Sequence, residues 1–301
     1  MPYQTRIAFF YVAIGASLWG IIGYFVKELA ELGFTPLQIV FLRAASAFLF
    51  FLLWIVVQQP SLLKIKVSHL WYFFGTGVMS VSFFNWCYFT TIQTSSIAIA
   101  AILLYTAPAF VLIISLFVFK EQLTKQKLCA LFVTLLGCTL VSGVFSAQLE
   151  LSMQSLLIGL GAGLGYSLYS IFGKLAGKKY ETLTISYYTF LFAMVVLYPT
   201  SHISSSDANV FSTSAILYIM GLGLFPTVLA YWFYTQGLKQ LEASKASIVS
   251  TIEPVVATIM GLLIYKENVS LIQAAGILLV LGAVLLIQER KPKTMATENT
   301  I

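Results

Sequence analysis

Long apolar runs separated by short polar connectors set the pattern of this chain. A bilayer crossing takes about 20 mostly apolar residues, and ten runs come near that length: 7–27, 36–57, 70–91, 95–119, 127–145, 153–173, 183–199, 213–236, 244–265 and 270–288. Turn chemistry divides them, as in QQPS at Gln58–Ser61, GKKYET at Gly177–Thr182 and SHISSSDAN at Ser201–Asn209. Pro36 stands at a helix start, where its missing N–H costs little. The run after Arg6 is too long for the apolar region of a signal peptide, which predicts a retained first helix. The pattern predicts an all-α integral membrane protein with ten transmembrane helices.

Composition agrees. Of 301 residues, 59% are hydrophobic and 9% charged, with mean hydropathy +0.91; soluble domains carry about 25% charged residues. No soluble domain fits between the runs, so the lipid bilayer is the expected environment. The net charge of +6 does not point to nucleic acid, because the cations sit in short loops and near the C-terminus. With both termini cytoplasmic, fourteen cations fall inside: Arg6, Lys64, Lys66, Lys120, Lys125, Lys127, Lys174, Lys178, Lys179, Lys239, Lys245, Arg290, Lys291 and Lys293. Only Lys27 and Lys266 fall outside, and Arg43 lies within a span. The positive-inside rule therefore predicts this orientation, in the cell membrane. Glu28, Glu31, Glu150 and Asp207 then lie on the outer side. Cys87, Cys129 and Cys138 form no CxxC pair and read as packing residues. His69 and His202 fall in loops without metal-ligand spacing, so no metal or cofactor is expected.

The second half repeats the first. At a gapless offset of 146, Gly75 and Gly77 align with Gly221 and Gly223, Trp86 and Tyr88 with Trp232 and Tyr234, Pro108 with Pro254, and Lys120-Glu121 with Lys266-Glu267. One residue further on in offset, Lys27 aligns with Lys174 and Thr35 with Thr182. Each half (1–145 and 146–290, followed by a polar cytoplasmic tail at 291–301) holds five spans. Five is odd, so the halves enter the membrane from opposite sides as an inverted repeat, an architecture of secondary transporters. Proline-interrupted helices at matching positions point to the substrate site; here they are span four at Pro108 and span nine at Pro254.

The chain resembles the EamA branch of the drug/metabolite transporter superfamily over about residues 7–288. The resemblance rests on Trp19-Gly20, Arg43, YTAP at Tyr105–Pro108 against TIEP at Thr251–Pro254, and the Lys-Glu pairs closing spans four and nine. It implies ten helices in an inverted five-plus-five repeat, a central cavity, and movement of small metabolites such as amino acids without ATP. One departure is Gly165-Tyr166, where the second half of the family often has a tryptophan matching Trp19.

Several side chains are candidates for the substrate site. Glu253 could bind a substrate amine or carry a proton, or serve as a structural partner of Arg43. Arg43 lies roughly 10 Å along its helix from Pro36; it could hold a carboxylate in a bidentate pair or lock helices together. Pro108 and Pro254 predict kinks that free the carbonyls of Leu104 and Ser250. Ser247, Ser250, Thr251 and Thr258 form a polar stripe on span nine, and Tyr105 takes the repeat position of Thr251. Trp19, Asn85 and Tyr166 are further candidates for the cavity wall; an Asn in a span needs a cavity or a partner helix.

Transport is the expected function, an exporter or permease for a small polar metabolite working by alternating access, with protons a candidate coupling partner. A proton-coupled drug antiporter and a lipid-carrier flippase are versions on the same fold; the first span has no acid before Lys27-Glu28, unlike small multidrug transporters. No GxxxxGK[ST] phosphate loop, HExxH motif or membrane-depth histidine is present, which argues against direct ATP use and an intramembrane enzyme. A non-transporting scaffold or sensor fits the inverted repeat less well. Ten helices suffice to enclose a cavity within one chain.

Overall fold

A computed structural model describes residues 3–144, 152–203 and 212–288. Glu150, Asp207, Arg290, Lys291, Lys293 and the tail lie outside the described residues. Ten helical segments run through the rest: α1 (Tyr3–Glu31), α2 (Pro36–Gln58), α3 (70–94), α4 (Ile97–Val118), α5 (Lys125–Val141), α6 (Met153–Ala176), α7 (Thr182–Ser201), α8 (Thr213–Gln240), α9 (Ala243–Tyr265) and α10 (Leu271–Ile287). Seven of them, α1, α2, α4, α6, α7, α8 and α9, are long and apolar enough to cross a membrane. The segments α5 and α10 have 17 residues each, about 25 Å at 1.5 Å per residue. The chain is a multi-pass membrane protein.

Hydroxyl caps set most helix starts. Thr35, Ser96, Thr124, Ser152, Ser212 and Ser270 each accept a backbone N–H of their helix's first turn. Thr35 and Ser270 complete capping boxes with Gln38 and Gln273, which satisfies N–H groups that a helix start leaves unpaired. The starts of α7 and α9, at Glu181 and Glu242, have no such side-chain cap.

The repeated Lys-Glu pairs have a backbone role. Lys120 and Lys266 both take left-handed φ of 54°. The N–H of Glu121 binds the Ser115 carbonyl and that of Glu267 binds the Gly261 carbonyl, each at 3.2 Å and six residues back. Each pair thus ends its helix with the wide hydrogen bond of a Schellman cap.

The principal neighbours are α1 with α8 and α3 with α6; α1 with α9 and α6 with α4; α2 with α8 and α7 with α3; and α2 with α7, α4 with α9 and α5 with α10. Two helices contain π turns, at Gly75–Ser82 in α3 and Leu224–Leu229 in α8. In each, a hydroxyl binds the carbonyl five residues back, Ser82 to Gly77 at 3.0 Å and Thr227 to Leu222 at 2.7 Å. Pro226 lies inside the second turn, where the widened backbone accommodates a residue without an N–H.

Candidate functional site

The two prolines mark breaks rather than kinks. The helix α4 stops at Leu104 and resumes at Ala107, and α9 stops at Val249 and resumes at Ile252. Pro108 and Pro254 therefore sit in first turns, where their missing donors cost little. The breaks share their chemistry. Thr106 and Thr251 each donate Oγ1 to the carbonyl three residues back, Leu103 and Ile248, at 2.6 Å. Their N–H groups bind the same carbonyls at 3.2 Å. The Ser250 carbonyl, expected to be freed, accepts the Glu253 N–H at 3.1 Å.

These bonds shift the match of the two breaks by one residue locally. The gapless offset pairs Tyr105 with Thr251 and Ala107 with Glu253. The hydrogen bonds instead pair Thr106 with Thr251, a spacing of 145. The second half thus has two residues, Ile252 and Glu253, between its threonine and its proline, where the first half has Ala107 alone.

Both breaks face one cavity. Its walls bring together Tyr105 and Pro108 from α4, Tyr166 and Ser170 from α6, and Ser247, Ser250, Thr251 and Glu253 from α9. Its volume is about 10 Å³, close to the minimum for one water, so the site is shut around its polar groups. Glu253 falls in the first turn of the half-helix Ile252–Tyr265, where aligned peptide dipoles favour negative charge. Its Oε2 accepts the Tyr166 hydroxyl at 2.9 Å.

On the α9 side of the wall three hydroxyl protons are already committed. Ser247, Ser250 and Thr251 donate to the carbonyls of Ser244, Ser247 and Ile248. They present only lone pairs to the cavity, beside a carboxylate. Such a wall suits a group that donates hydrogen bonds.

The remaining candidates stand outside this wall. Trp19 packs one ring behind it, with ring centroids 6.0 Å from Tyr166, 5.2 Å from Tyr231 and 4.9 Å from Tyr234. Its indole N–H is buried with no hydrogen-bond partner among the described residues. Arg43 donates Nε to Thr227 at 2.9 Å, bracing the π turn of α8, and makes no ion pair with Glu253 among the described residues. Asn85 is buried but donates to the Val81 carbonyl of its own helix at 2.7 Å. Ser170 was not among the sequence candidates; lying four residues after Tyr166 on α6, it shares that face.

Glycines permit the close approach of neighbours to both breaks. A Cβ on Gly163 of α6 would lie 2.6 Å from the Leu103 carbonyl oxygen, and one on Gly20 of α1 would lie 2.8 Å from that of Glu253.

A polar latch closes one end. Glu121, after α4, accepts the Ala243 N–H at 2.7 Å, the Ser244 N–H at 3.3 Å and the Ser244 hydroxyl. It thereby supplies from another part of the chain the cap that α9 lacks. Lys127, 2% exposed, bridges Glu121 at 3.4 Å and Glu242 at 3.3 Å, and Lys245 holds Glu242 at 2.7 Å. In the sequence, Lys127 stands only as one of the inside cations, at the start of the fifth span, and Glu121 only as part of a repeated Lys-Glu pair.

The sequence profile of the EamA-like transporter family matches residues 6–143 and again 153–288. The chain is 26% identical over 281 residues to an uncharacterized transporter of Archaeoglobus fulgidus, covering 91% of this chain and 94% of the relative. It is 27% identical over 272 residues to the uncharacterized transporter YetK of Bacillus subtilis, covering 87% and 81%. A solved crystal structure superposes with a TM-score of 0.79 at 17% identity, covering 93% of this chain and 96% of that one. At that identity the likeness speaks to the fold alone.

Proposed function

We propose that this chain, which belongs to the EamA-like transporter family, is a secondary transporter of a small polar metabolite bearing an amine, of the amino-acid kind. The observation that carries this reading is the meeting of two broken helices at one cavity whose wall offers Glu253 and three acceptor hydroxyls. An ammonium group donates to such a wall and balances the carboxylate; Tyr166 orients that carboxylate.

The architecture is a ten-crossing inverted five-plus-five repeat in the cell membrane, with both termini cytoplasmic. The principal helix neighbours support it: exchanging each helix of the first five for the one five places later turns α1–α8 into α3–α6, α1–α9 into α4–α6 and α2–α8 into α3–α7, although the contacts of α9 with α5 and α10 have no counterpart of similar extent. The twin breaks and twin Schellman caps support it too. Orientation rests on the charge asymmetry of the loops.

Alternating access would rock one half against the other. The latch at Glu121 shuts the cytoplasmic end in the present arrangement. Its repeat counterpart, Glu267, is exposed, while the start of α4 is capped by its own Ser96. Export would release substrate on that outer side.

Proteoliposomes decide the matter. A panel of amino acids and amines is tested for uptake and counterflow at two pH values, with wild type and Glu253→Gln. Saturable counterflow of an amine-bearing substrate that Glu253→Gln abolishes is expected. Preference for substrates without an amine would overturn the reading, and a pH gradient that drives flux would favour the proton-coupled antiporter.

A further inference from the structure

A second cavity opens where the α2–α3 connector meets the end of α6. It is a cleft of about 600 Å³ lined by Lys64, Ile65, Lys66, His69, Lys179 and Tyr180. Three ammonium groups share it, and none pairs with a carboxylate among the described residues. The neighbouring Lys239, by contrast, is matched by Glu181 at 3.0 Å. Clustered like charge is unfavourable unless an anion fills it.

The hydrogen bonds of the cleft leave donors facing inward. Lys179 can only donate, so its contact of 3.1 Å makes His69 Nε2 an acceptor. The ring proton is then on Nδ1 and is donated to Tyr180 Oη at 2.6 Å; the tautomer follows from this network. Tyr180 Oη also accepts the Lys66 N–H at 3.1 Å. Its lone pairs are used, and its own O–H remains to donate. Partial desolvation and the charges of Lys179 and Lys66 hold the His69 imidazole below its usual pKa.

Exposed apolar residues stand next to cleft-lining residues in the chain. Val67 is 80% exposed and Trp71 48% exposed, on the connector and the first turn of α3. Tryptophan favours the level of lipid headgroups. A basic cleft between helices with an apolar flank matches a lipid rather than a soluble ion.

We propose that this cleft binds the phosphate of an anionic membrane lipid, with Lys64, Lys66 and Lys179 as counter-charges and the Tyr180 hydroxyl as donor, its acyl chains lying along Val67 and Trp71. Placement at the cytoplasmic leaflet rests on the topology proposed above. The bound lipid ties residues 64–69 of the first half to residues 179–180 of the second, so it bears on how the halves move.

The test is native mass spectrometry of the full chain in detergent with added phosphatidylglycerol or phosphatidylcholine. Wild type is expected to retain phosphatidylglycerol selectively. Lys64→Gln/Lys66→Gln/Lys179→Gln is expected to weaken retention at least about tenfold, since each lysine near an anionic surface contributes about fivefold. Lys64→Gln/Lys66→Gln leaves the Lys179–His69 contact intact and is expected to show most of the loss with an unchanged melting temperature in phosphatidylcholine. Equal retention of both lipids by wild type, or of phosphatidylglycerol by the triple variant, overturns the site. Calorimetric binding of inorganic phosphate without lipid retention overturns the lipid assignment. Retention is read without flux and with the same lipid at both faces, so its failure and a failure of the transport reading are separate results.

Discussion

The Glu121 carboxylate accepts the Ala243 N–H at 2.7 Å, joining the end of α4 in the first half to the start of α9 in the second. Because α9 has no side-chain cap of its own, the bond satisfies backbone donors that opening would expose. Glu121→Gln removes the charge facing Lys127. Stranding a buried charge costs about 3–5 kcal/mol; Lys127 keeps Glu242 at 3.3 Å, so the loss falls below that range. In a cysteine-free background carrying Ser247→Cys, Glu121→Gln should raise thiol labelling from the face on which Glu121 lies several-fold. Unchanged labelling refutes the latch.

Tyr166→Phe removes the donor to Glu253 and leaves the fold's apolar contacts in place. A hydrogen bond to a charged group contributes about 1.5–3 kcal/mol, so transport efficiency should fall by at least about tenfold. Substrate binding, read by calorimetry, should fall as well, and in a Glu253→Gln background Tyr166→Phe should change binding less than in wild type, because the residues act as a pair. Additive losses of binding would place Tyr166 outside the site.

Much of this architecture was legible in the sequence because lipid imposes simple lengths. The ten apolar runs match the helices within a few residues, and Pro108 and Pro254 led to the cavity. Glu253, Tyr166, Tyr105, Ser250 and Thr251 could be chosen because polar groups stand out in apolar helices. What stayed hidden depends on contacts between distant segments. The tie of Arg43 to Thr227 spans 184 positions and that of Glu121 to Ala243 spans 122, and no local pattern encodes either. The one-residue shift at the breaks was hidden because matched prolines favour a gapless alignment. Hydroxyl bonding pairs Thr106 with Thr251 at the breaks, while Lys120 and Lys266 keep the offset of 146 at the helix ends.

Acid should loosen the same latch. Burial opposes ionisation of Glu242, but the hydrogen bond and charge of Lys245, with the charge of Lys127, hold its carboxyl below the usual value. A lowered folded-state pKa stabilises the closed latch above the ordinary carboxylate range, and this contribution is lost as pH falls through the lowered value. Melting temperature should therefore drop between about pH 5 and pH 3, and Glu242→Gln should flatten that limb. The side chain is 38% exposed, so solvent screening keeps the effect small. Identical acid limbs in both proteins would remove Glu242 from the latch.

Gly163 and Gly23 give opposite outcomes for one substitution. A Cβ on Gly163 would lie 2.4 Å from Thr106 Oγ1 and 2.6 Å from the Leu103 carbonyl oxygen. The backbone oxygen cannot turn away, so α6 must retreat from the break in α4. Overpacking of this kind costs about 1–3 kcal/mol, and here it also displaces Tyr166, three residues along the same helix. A Cβ on Gly23 meets nothing within 4 Å, and alanine in a helix gains about 0.5–1 kcal/mol over glycine. Gly163→Ala should thus lower the melting temperature and counterflow together, while Gly23→Ala should leave counterflow intact and match or exceed wild-type stability. Wild-type flux in Gly163→Ala would show that the fit of α6 against the break in α4 does not position the cavity wall.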